Sequence, residues 1–374
     1  MLIGIDGNEA NVQSRVGVHQ YSFEILWGIY RENKRVGKKH SFLIYLKNSP
    51  RKDLPKEISW WRYVVLPAKG LWILTKLMPA LMKTKRPDVL FSPSHYLPPL
   101  TSIPKVFTVH DLGYLRFSAQ FKKYDYWQLK LWTAISLSIS KCIIAVSNST
   151  RKDIVRHYPK YSKQIEVVYH GYNNKRFNKN ISEVFVRRIK RKYKINGNYI
   201  LFLSTLKPSK NIEGLLTAFS GVKDLYPKVK LVISGKKGWL YESIYKKAEE
   251  LGLRDVVFTG YIEEKDKPAL IKGAKVFVLP SFWEGFGMDV LGAMACGTAV
   301  VISNVASLPE VGGDAVIYID PSSSDSIKDG ITKVLSMSRN EYNKIIKKGY
   351  EQAKKFSWEK AAMETLKAIE ESVK

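Results

Sequence analysis

Short runs of β-branched and aromatic residues alternate along the chain with longer stretches whose apolar positions recur every three to four residues. That alternation predicts α/β units on parallel sheets, because a strand buried on both faces reads as an unbroken apolar run. MLIGID (1–6), SFLIYL (41–46), DVLFS (88–92), KVFTVHD (105–111), CIIAVS (142–147) and IEVVYHG (165–171) are the expected strands of a first series. Between them fall a helix carrying Tyr21, Phe23, Ile25 and Leu26, and another carrying Tyr126, Leu129, Leu131, Trp132 and Ile135. A charged stretch containing RRIKRKYK (187–194) follows Phe177. A second series then runs through YILFLST (199–205), KLVISG (230–235), VVFTGY (256–261), KVFVLP (275–280), AVVISN (299–304) and AVIYID (315–320). Helical patterns fill its gaps, among them 211–226, 240–251, 264–273 and 287–295. Two series with a break near 178–198 predict two doubly wound domains, 1–178 and 179–355, with a closing segment at 356–374.

A length of 374 residues agrees with two domains of ordinary size. Near-average composition excludes a disordered chain, a fibrous repeat or a disulfide scaffold. Cys142 and Cys296 share no metal-ligand spacing with each other or with the six His, which fits a reducing compartment. The start, MLIGIDGNEA, reads as no signal peptide. The longest apolar span, 131–146, is serine-rich and interrupted by Lys141, so it is not expected to cross a membrane.

Charge changes the picture more. The formal net charge is +27, of which residues 1–178 carry +18 from 29 basic and 11 acidic residues. Such a surplus favours a polyanionic partner: nucleic acid, an anionic bilayer or phosphate-bearing small molecules. The densest stretch, Lys34 to Arg86, includes Lys69, Lys76, Lys83 and Lys85 beside Trp60, Trp61, Leu71, Trp72, Ile73 and Leu74. It reads either as an interfacial membrane-docking surface or as core aromatics flanked by solvated lysines. No zinc-finger, aromatic RNA-binding or basic-zipper signature accompanies the charge, which leaves little support for nucleic acid.

Ligands of doubly wound sheets bind at the carboxyl ends of strands, beside helix N-termini. Gly17, His110 with Asp111, Lys210 with Asn211, Gly235 to Gly238, and Glu284 to Gly287 all fall at such ends. In SFWEGFGMDVLGAMACGTAVV (281–301), a carboxylate, glycines and then a helix set Glu284 beside amides able to hold an anion. The bland alternative is a glycine-rich turn before a buried helix. Lys210 opens a helix, a position suited to a diphosphate leaving group, although a helix-surface lysine is equally ordinary here. His110 is either a satisfied core histidine or a ligand contact, and Glu310 in SLPEVGG is either a structural helix cap, the reading preferred, or a site carboxylate.

Nine segments in order resemble the retaining glycosyltransferases of family 4, over nearly the whole chain. They are RVGVHQY (15–21), TVHDLGYLRF (108–117), AVSNSTRKDI (145–154), VVYHGYN (167–173), STLKPSKN (204–211), SGKKGW (234–239), FTGYI (258–262), PSFWEGFGMDVLGAMACGTAVV (280–301) and SNVASLPEVGGDA (303–315). FSWEKAA (356–362) is similar to the family's closing helix, and the mannosyltransferase-like branch is the nearest in pattern. The resemblance implies the GT-B fold, two Rossmann-like domains facing a central cleft, with a C-terminal helix crossing back to the first domain. It implies an acceptor-side domain at 1–178 and a nucleotide-sugar domain at 179–355. It also implies a metal-independent hexosyltransferase with no cofactor, moving a sugar such as mannose from a GDP- or UDP-sugar to a glycan or lipid-linked acceptor. His110, Lys210 and Glu284 would be catalytic, while Gly17, Ser209, Gly235, Phe286, Gly287 and Gly292 would line the donor. A cytoplasmic enzyme, peripheral on the inner face of the plasma membrane, is the matching location, with an anionic membrane surface as a candidate partner.

Three departures stand against that pattern. Gly292 replaces a Glu that usually bonds the ribose, Ser209 replaces an Arg, and Asp289 and Ala299 replace prolines. Losing one charged hydrogen bond costs about 1.5–3 kcal/mol, roughly 10–150-fold in affinity. The rival reading is therefore a catalytically degenerate binding or scaffold protein of the same fold.

Overall fold

The computed structural model describes residues 1–83, 86–118 and 122–374, so Lys85 of the basic stretch lies outside the described residues. The chain divides into two compact units: Met1–Gly171 with Ser357–Lys374, and Tyr172–Phe356.

Unit 1 is built on a seven-stranded sheet, β1 (Leu2–Asp6), β2 (Ser41–Leu46), β3 (Trp61–Val65), β4 (Val89–Ser92), β5 (Lys105–Val109), β6 (Cys142–Ala145) and β7 (Ile165–Val167). Their order is β3-β2-β1-β4-β5-β6-β7 and every pairing is parallel. Unit 2 carries a six-stranded sheet of β8 (Tyr199–Leu203), β9 (Lys230–Ser234), β10 (Val256–Gly260), β11 (Val276–Leu279), β12 (Ala299–Ser303) and β13 (Ile317–Ile319). Its order is β10-β9-β8-β11-β12-β13, again parallel throughout. β4, β5, β6, β8, β11 and β12 are buried along their whole length, which is why they read as unbroken apolar runs. All twelve expected strands form. The thirteenth, β3, was hidden inside the basic stretch.

That strand corrects the reading of the Lys34–Arg86 segment as a docking surface. Trp61 pairs with Phe42 on β2, and Trp60, Trp61 and Trp72 are 7%, 0% and 2% exposed. The Tyr30 ring lies 4.9 Å from that of Trp60 and 5.3 Å from that of Trp61. The Trp72 indole donates to the Leu66 carbonyl at 2.8 Å. These tryptophans are core, and of the six apolar residues singled out there Leu71 alone is exposed. The charge is also more evenly shared than the primary order suggests. Unit 1 holds 30 basic and 15 acidic residues and unit 2 holds 31 and 19, because the closing helix returns four glutamates to unit 1.

That closing helix, Trp358–Glu371, starts at Ser357, whose hydroxyl accepts from the Lys360 amide. It packs on helix Val18–Arg35 within unit 1. The approach is close: a Cβ on Gly28 would sit 2.9 Å from Ala362 Cβ and 3.1 Å from the Trp358 carbonyl. Among the described residues no helix is long and apolar enough to cross a membrane.

Helix Lys123–Ile139 carries apolar residues on both its inner and its outer side. Thr133, Ser136 and Leu137 form its buried side, while Tyr124, Trp127 and Leu131 are 76%, 61% and 61% exposed. Of the residues that marked this helix in the sequence, Tyr126 and Leu129 pack inward and Leu131 is exposed.

Candidate active site

In each sheet the strand order reverses once, between β1 and β4 in unit 1 and between β8 and β11 in unit 2. At such a switch point the loops leaving neighbouring strands diverge to opposite faces and open a crevice. In unit 2 the candidate groups follow β8 and β11 at this crevice, whereas in unit 1 Gly17 follows β1 and His110 leaves β5, one strand beyond the switch point.

In unit 2, β8 leads into a 3-10 turn, Pro208–Lys210. Asn211, left-handed at φ 53°, then opens helix Ile212–Leu225. The loop leaving β11 carries Ser281 to Gly287 and opens helix Met288–Ala295 through Gly287, at φ 101°. The Phe282 amide donates to the Ser209 carbonyl at 2.9 Å and ties the two loops together. This places Lys210 Nζ 2.5 Å from Glu284 Oε1, with side chains only 10% and 11% exposed. Ser281 Oγ donates to the same Oε1 at 2.7 Å. Among the described residues Oε2 accepts from no partner, so it is the oxygen left for an incoming hydroxyl. Ser307 Oγ donates to the Glu284 and Phe286 carbonyls at 2.9 and 3.1 Å, pinning the glycine-rich loop from behind. The Val290 amide is taken up by the Gly287 carbonyl, while the Met288 and Asp289 amides precede the first intrahelical acceptor and with Lys210 make a corner able to take an anion.

A second charged group adjoins that corner. Lys267 pairs with Glu264 and stands 4.0 Å from Asp289 Oδ1, and Arg176 reaches Glu264 at 3.3 Å. Burial raises the Asp289 carboxyl despite Lys267 and Lys210. Burial works against the Lys267 charge, yet Asp289 and Glu264 outweigh it and leave its ammonium raised.

The remaining donor candidates in unit 2 divide. Phe286 is buried, edge-on to Phe356 at 5.8 Å, so its main chain rather than its ring borders the corner. Gly235 sits where a Cβ would come 1.7 Å from the Ser204 carbonyl oxygen, and its amide already donates to Gly260. Gly292 is buried beneath Phe177, whose ring carbons would lie 3.1 to 3.6 Å from a Cβ added there. Ser209 is buried in the turn before Lys210.

In unit 1, β1 ends at Asp6, and helix Val18–Arg35 starts from Gly17 at φ 50° with nothing within 4 Å of where a Cβ would be. Only glycine takes that conformation without strain, so backbone conformation rather than crowding calls for glycine here. His110, at the exit of β5, is buried. Its Nε2 lies 2.9 Å from the Pro93 carbonyl, an acceptor, so Nε2 carries the proton and Nδ1 is the acceptor. Burial, then the neighbouring His95, pushes His110 down to about 4, leaving it neutral at physiological pH. Tyr21 stands edge-on to His110 at 4.7 Å, and His95 and His170 are 6.1 and 5.8 Å from it.

Sequence reasoning missed the pair beside it. Glu9 Oε2 lies 3.0 Å from His19 Nε2, both half-buried, and that hydrogen bond holds the Glu9 carboxyl below its ordinary range. The electrostatic field of Glu9 reaches His95 and His110. The turn at Gly17 brings His19 back over the end of β1, a juxtaposition no spacing rule reveals. Ser281, Ser307, Asp289 and Lys267 escaped for the same reason.

The family model described as Glycosyl transferases group 1 matches residues 185–352, and that described as Glycosyltransferase Family 4 matches 39–176. The chain is 32% identical over 288 residues to an O-antigen chain mannosyltransferase B of Escherichia coli, covering 75% of this chain and 73% of that protein. It is 31% identical over 224 residues to a serotype-specific mannosyltransferase of Escherichia coli, covering 59% of this chain but only 27% of that longer protein. Among solved structures, sucrose-phosphate synthase from Thermosynechococcus elongatus superposes with a TM-score of 0.78 at 19% identity, over 99% of this chain and 98% of that one. Anabaena HepE, solved with UDP and glucose, superposes with a TM-score of 0.75 at 16% identity, over 99% of each chain.

Proposed function

Since this chain belongs to glycosyltransferase family 4 and is a glycosyltransferase with two parallel α/β units, we propose that it performs metal-independent, retaining transfer of mannose from GDP-mannose to a lipid-linked glycan. The observation that carries the reading is the Lys210–Glu284 pair at the switch point of unit 2. A lysine ammonium has three protons to give, and one suffices for Glu284. The other two face the diphosphate, whose negative charge grows as the anomeric C–O bond breaks. The acceptor oxygen attacks from the face the diphosphate leaves, and its proton passes to the departing phosphate oxygen. Glu284 Oε2 takes a sugar hydroxyl, and the helix amides behind Gly287 hold the phosphates.

In unit 1, taken by itself, His110 and the helix that starts at Gly17 are the groups suited to meet a sugar ligand. As a neutral ring with Nε2–H committed to Pro93, His110 meets a sugar hydroxyl as an acceptor at Nδ1, not as an acid. Lys210 supplies positive charge where other transferases use a cation, which supports metal independence. The mannose assignment rests on the names of the relatives, and GDP is our own choice of base, set against the UDP named for the solved neighbour. The peripheral, inner-face location rests on the lipid-linked acceptor.

A second reading, a donor-binding protein without turnover, is favoured by the burial of Gly292 under Phe177 and by Ser209; the intact Lys210–Glu284 pair opposes it. Incubation with GDP-mannose and an alkyl mannoside in excess EDTA tests both. The reading expects product whose one-bond C1–H1 coupling marks the α anomer. A β product refutes retention, and binding without product selects the second reading.

A further inference from the structure

We infer that the outward face of helix Lys123–Ile139 is a docking surface for an anionic lipid bilayer, distinct from the buried tryptophans of the 34–86 segment. It deepens the proposal of a lipid-linked acceptor and rests on that reading for its purpose, although not for its test. Tyr124, Trp127 and Leu131 recur at helical spacing on one face and are each more than 60% exposed. They form a stripe of about 10 Å along the helix axis. Leu100 is 71% exposed on the neighbouring loop, which the Tyr96–Trp132 ring contact at 5.9 Å holds against the same helix.

The inner side of this helix is already apolar, with Leu137, Tyr126, Leu129 and Ile139 packed on the core beside Thr133 and Ser136, so Tyr124, Trp127 and Leu131 are a second apolar stripe that packing on the sheet does not use. The stripe is edged by cations. Lys122 and Lys123 open the helix, and Lys130 Nζ lies 4.9 Å from the Trp127 ring centroid, against one acid, Asp125. Trp and Tyr at headgroup depth, Leu below them and Lys at the rim is the pattern of an interfacial helix.

Three occupants compete for such a face. A second copy of this chain would set lysines against lysines and +27 against +27, which the charge disfavours. A nucleic acid would use the lysines and the aromatic rings but offers nothing for Leu131 and Leu100. An anionic bilayer satisfies all of them. The inner face connects this surface to the candidate site. Ser136 Oγ donates to the His95 carbonyl at 2.6 Å and accepts from the Leu97 amide at 3.2 Å, and His95 stands 6.1 Å from His110. A helix lying on the bilayer thus carries on its other side the loop that supports His110, within reach of a lipid-borne acceptor.

The test is co-sedimentation of the full chain with phosphatidylcholine vesicles and with vesicles containing 30 mol% (about a third) phosphatidylglycerol. Two surface variants are compared, Trp127→Ser/Leu131→Ser and Lys122→Glu/Lys123→Glu/Lys130→Glu. A control variant, Lys344→Glu/Lys347→Glu, lies on an exposed helix of unit 2. Unfolding midpoints and nucleotide binding, measured without vesicles, verify that each variant folds and test the glycosyl-transfer reading independently. The expected result is preferential binding of wild type to the anionic vesicles. Loss should be about fivefold for each lysine removed, about a hundredfold for three, and more for reversal. The apolar variant should lose binding to both vesicle types, and the control should bind within about twofold of wild type. Vesicle binding equal in wild type and both surface variants overturns the proposal. So does a dimer in light scattering, or salt-dependent retention of single-stranded RNA, that the same substitutions abolish.

Discussion

Removing one member of the Lys210–Glu284 pair should do far more damage than removing both. With side chains 10% and 11% exposed, either charge left alone is largely out of water without a counterion. Breaking such a pair from one side costs about 3–5 kcal/mol, while replacing both partners together is close to neutral. Lys210→Met leaves the Glu284 carboxylate with only the Ser281 hydroxyl. Glu284→Gln keeps an acceptor for Ser281 but leaves the ammonium uncompensated. Urea unfolding of the two single variants and the double variant should therefore give a coupling energy of about 3 kcal/mol or more. Nucleotide binding should separate the single variants in opposite directions. In Glu284→Gln the ammonium is unopposed, so bare nucleoside diphosphate binds more tightly than to wild type, while turnover falls because the sugar loses its carboxylate. In Lys210→Met diphosphate affinity falls by about 10–150-fold, the value of one charged hydrogen bond. Additive stabilities, or diphosphate binding that falls in both variants alike, would refute the reasoning.

Two further predictions follow from buried groups. Gly292→Glu, which restores the carboxylate expected from the family pattern, pushes a Cβ to within 3.1 Å of Phe177 and should lower the unfolding midpoint without improving donor affinity. Gly292→Glu with Phe177→Ala relieves the clash and should bind the nucleotide more tightly than Phe177→Ala alone; equal affinities would show that the carboxylate has no ribose to meet. Burial pushes the Asp6 carboxyl up to about 6, against hydrogen bonds from Asn8. A raised carboxyl favours the protonated folded state, so its contribution is intact below pH 4 and is lost as pH rises through 6. Asp6→Asn should therefore be more stable than wild type at pH 7.5, by up to about 3 kcal/mol, with the advantage gone at pH 4; equal effects at both pH values would contradict this.

Much of the fold was legible because parallel strands covered on both faces leave a simple trace. β8 and β12, with every residue buried, could hardly read otherwise. β3 was not legible, since WRYVV is a half-exposed edge strand carrying Arg62, and Trp60, Trp61 and Trp72 in a lysine-rich stretch imitate an interfacial surface. Helix Lys123–Ile139 was legible as a helix, but its apolar residues occur on both sides and the sequence does not say which of them stay exposed. Lys210 and Glu284 were each recognisable at a strand end. Their contact was not, because 74 residues separate them and only the β8–β11 adjacency joins them. The Glu9–His19 pair depends on a single left-handed glycine and left no trace beyond Gly17 itself.

The central claim is that unit 2 holds a nucleotide sugar through Lys210 without a metal. Calorimetric titration of GDP-, UDP- and ADP-sugars into the purified chain in excess EDTA, repeated with Lys210→Ala, tests it most directly. The account predicts saturable binding of one nucleotide class to the wild type, GDP-sugars by the present assignment, with affinity reduced at least about tenfold in the variant. Binding of none, or equal binding by wild type and Lys210→Ala, would contradict it.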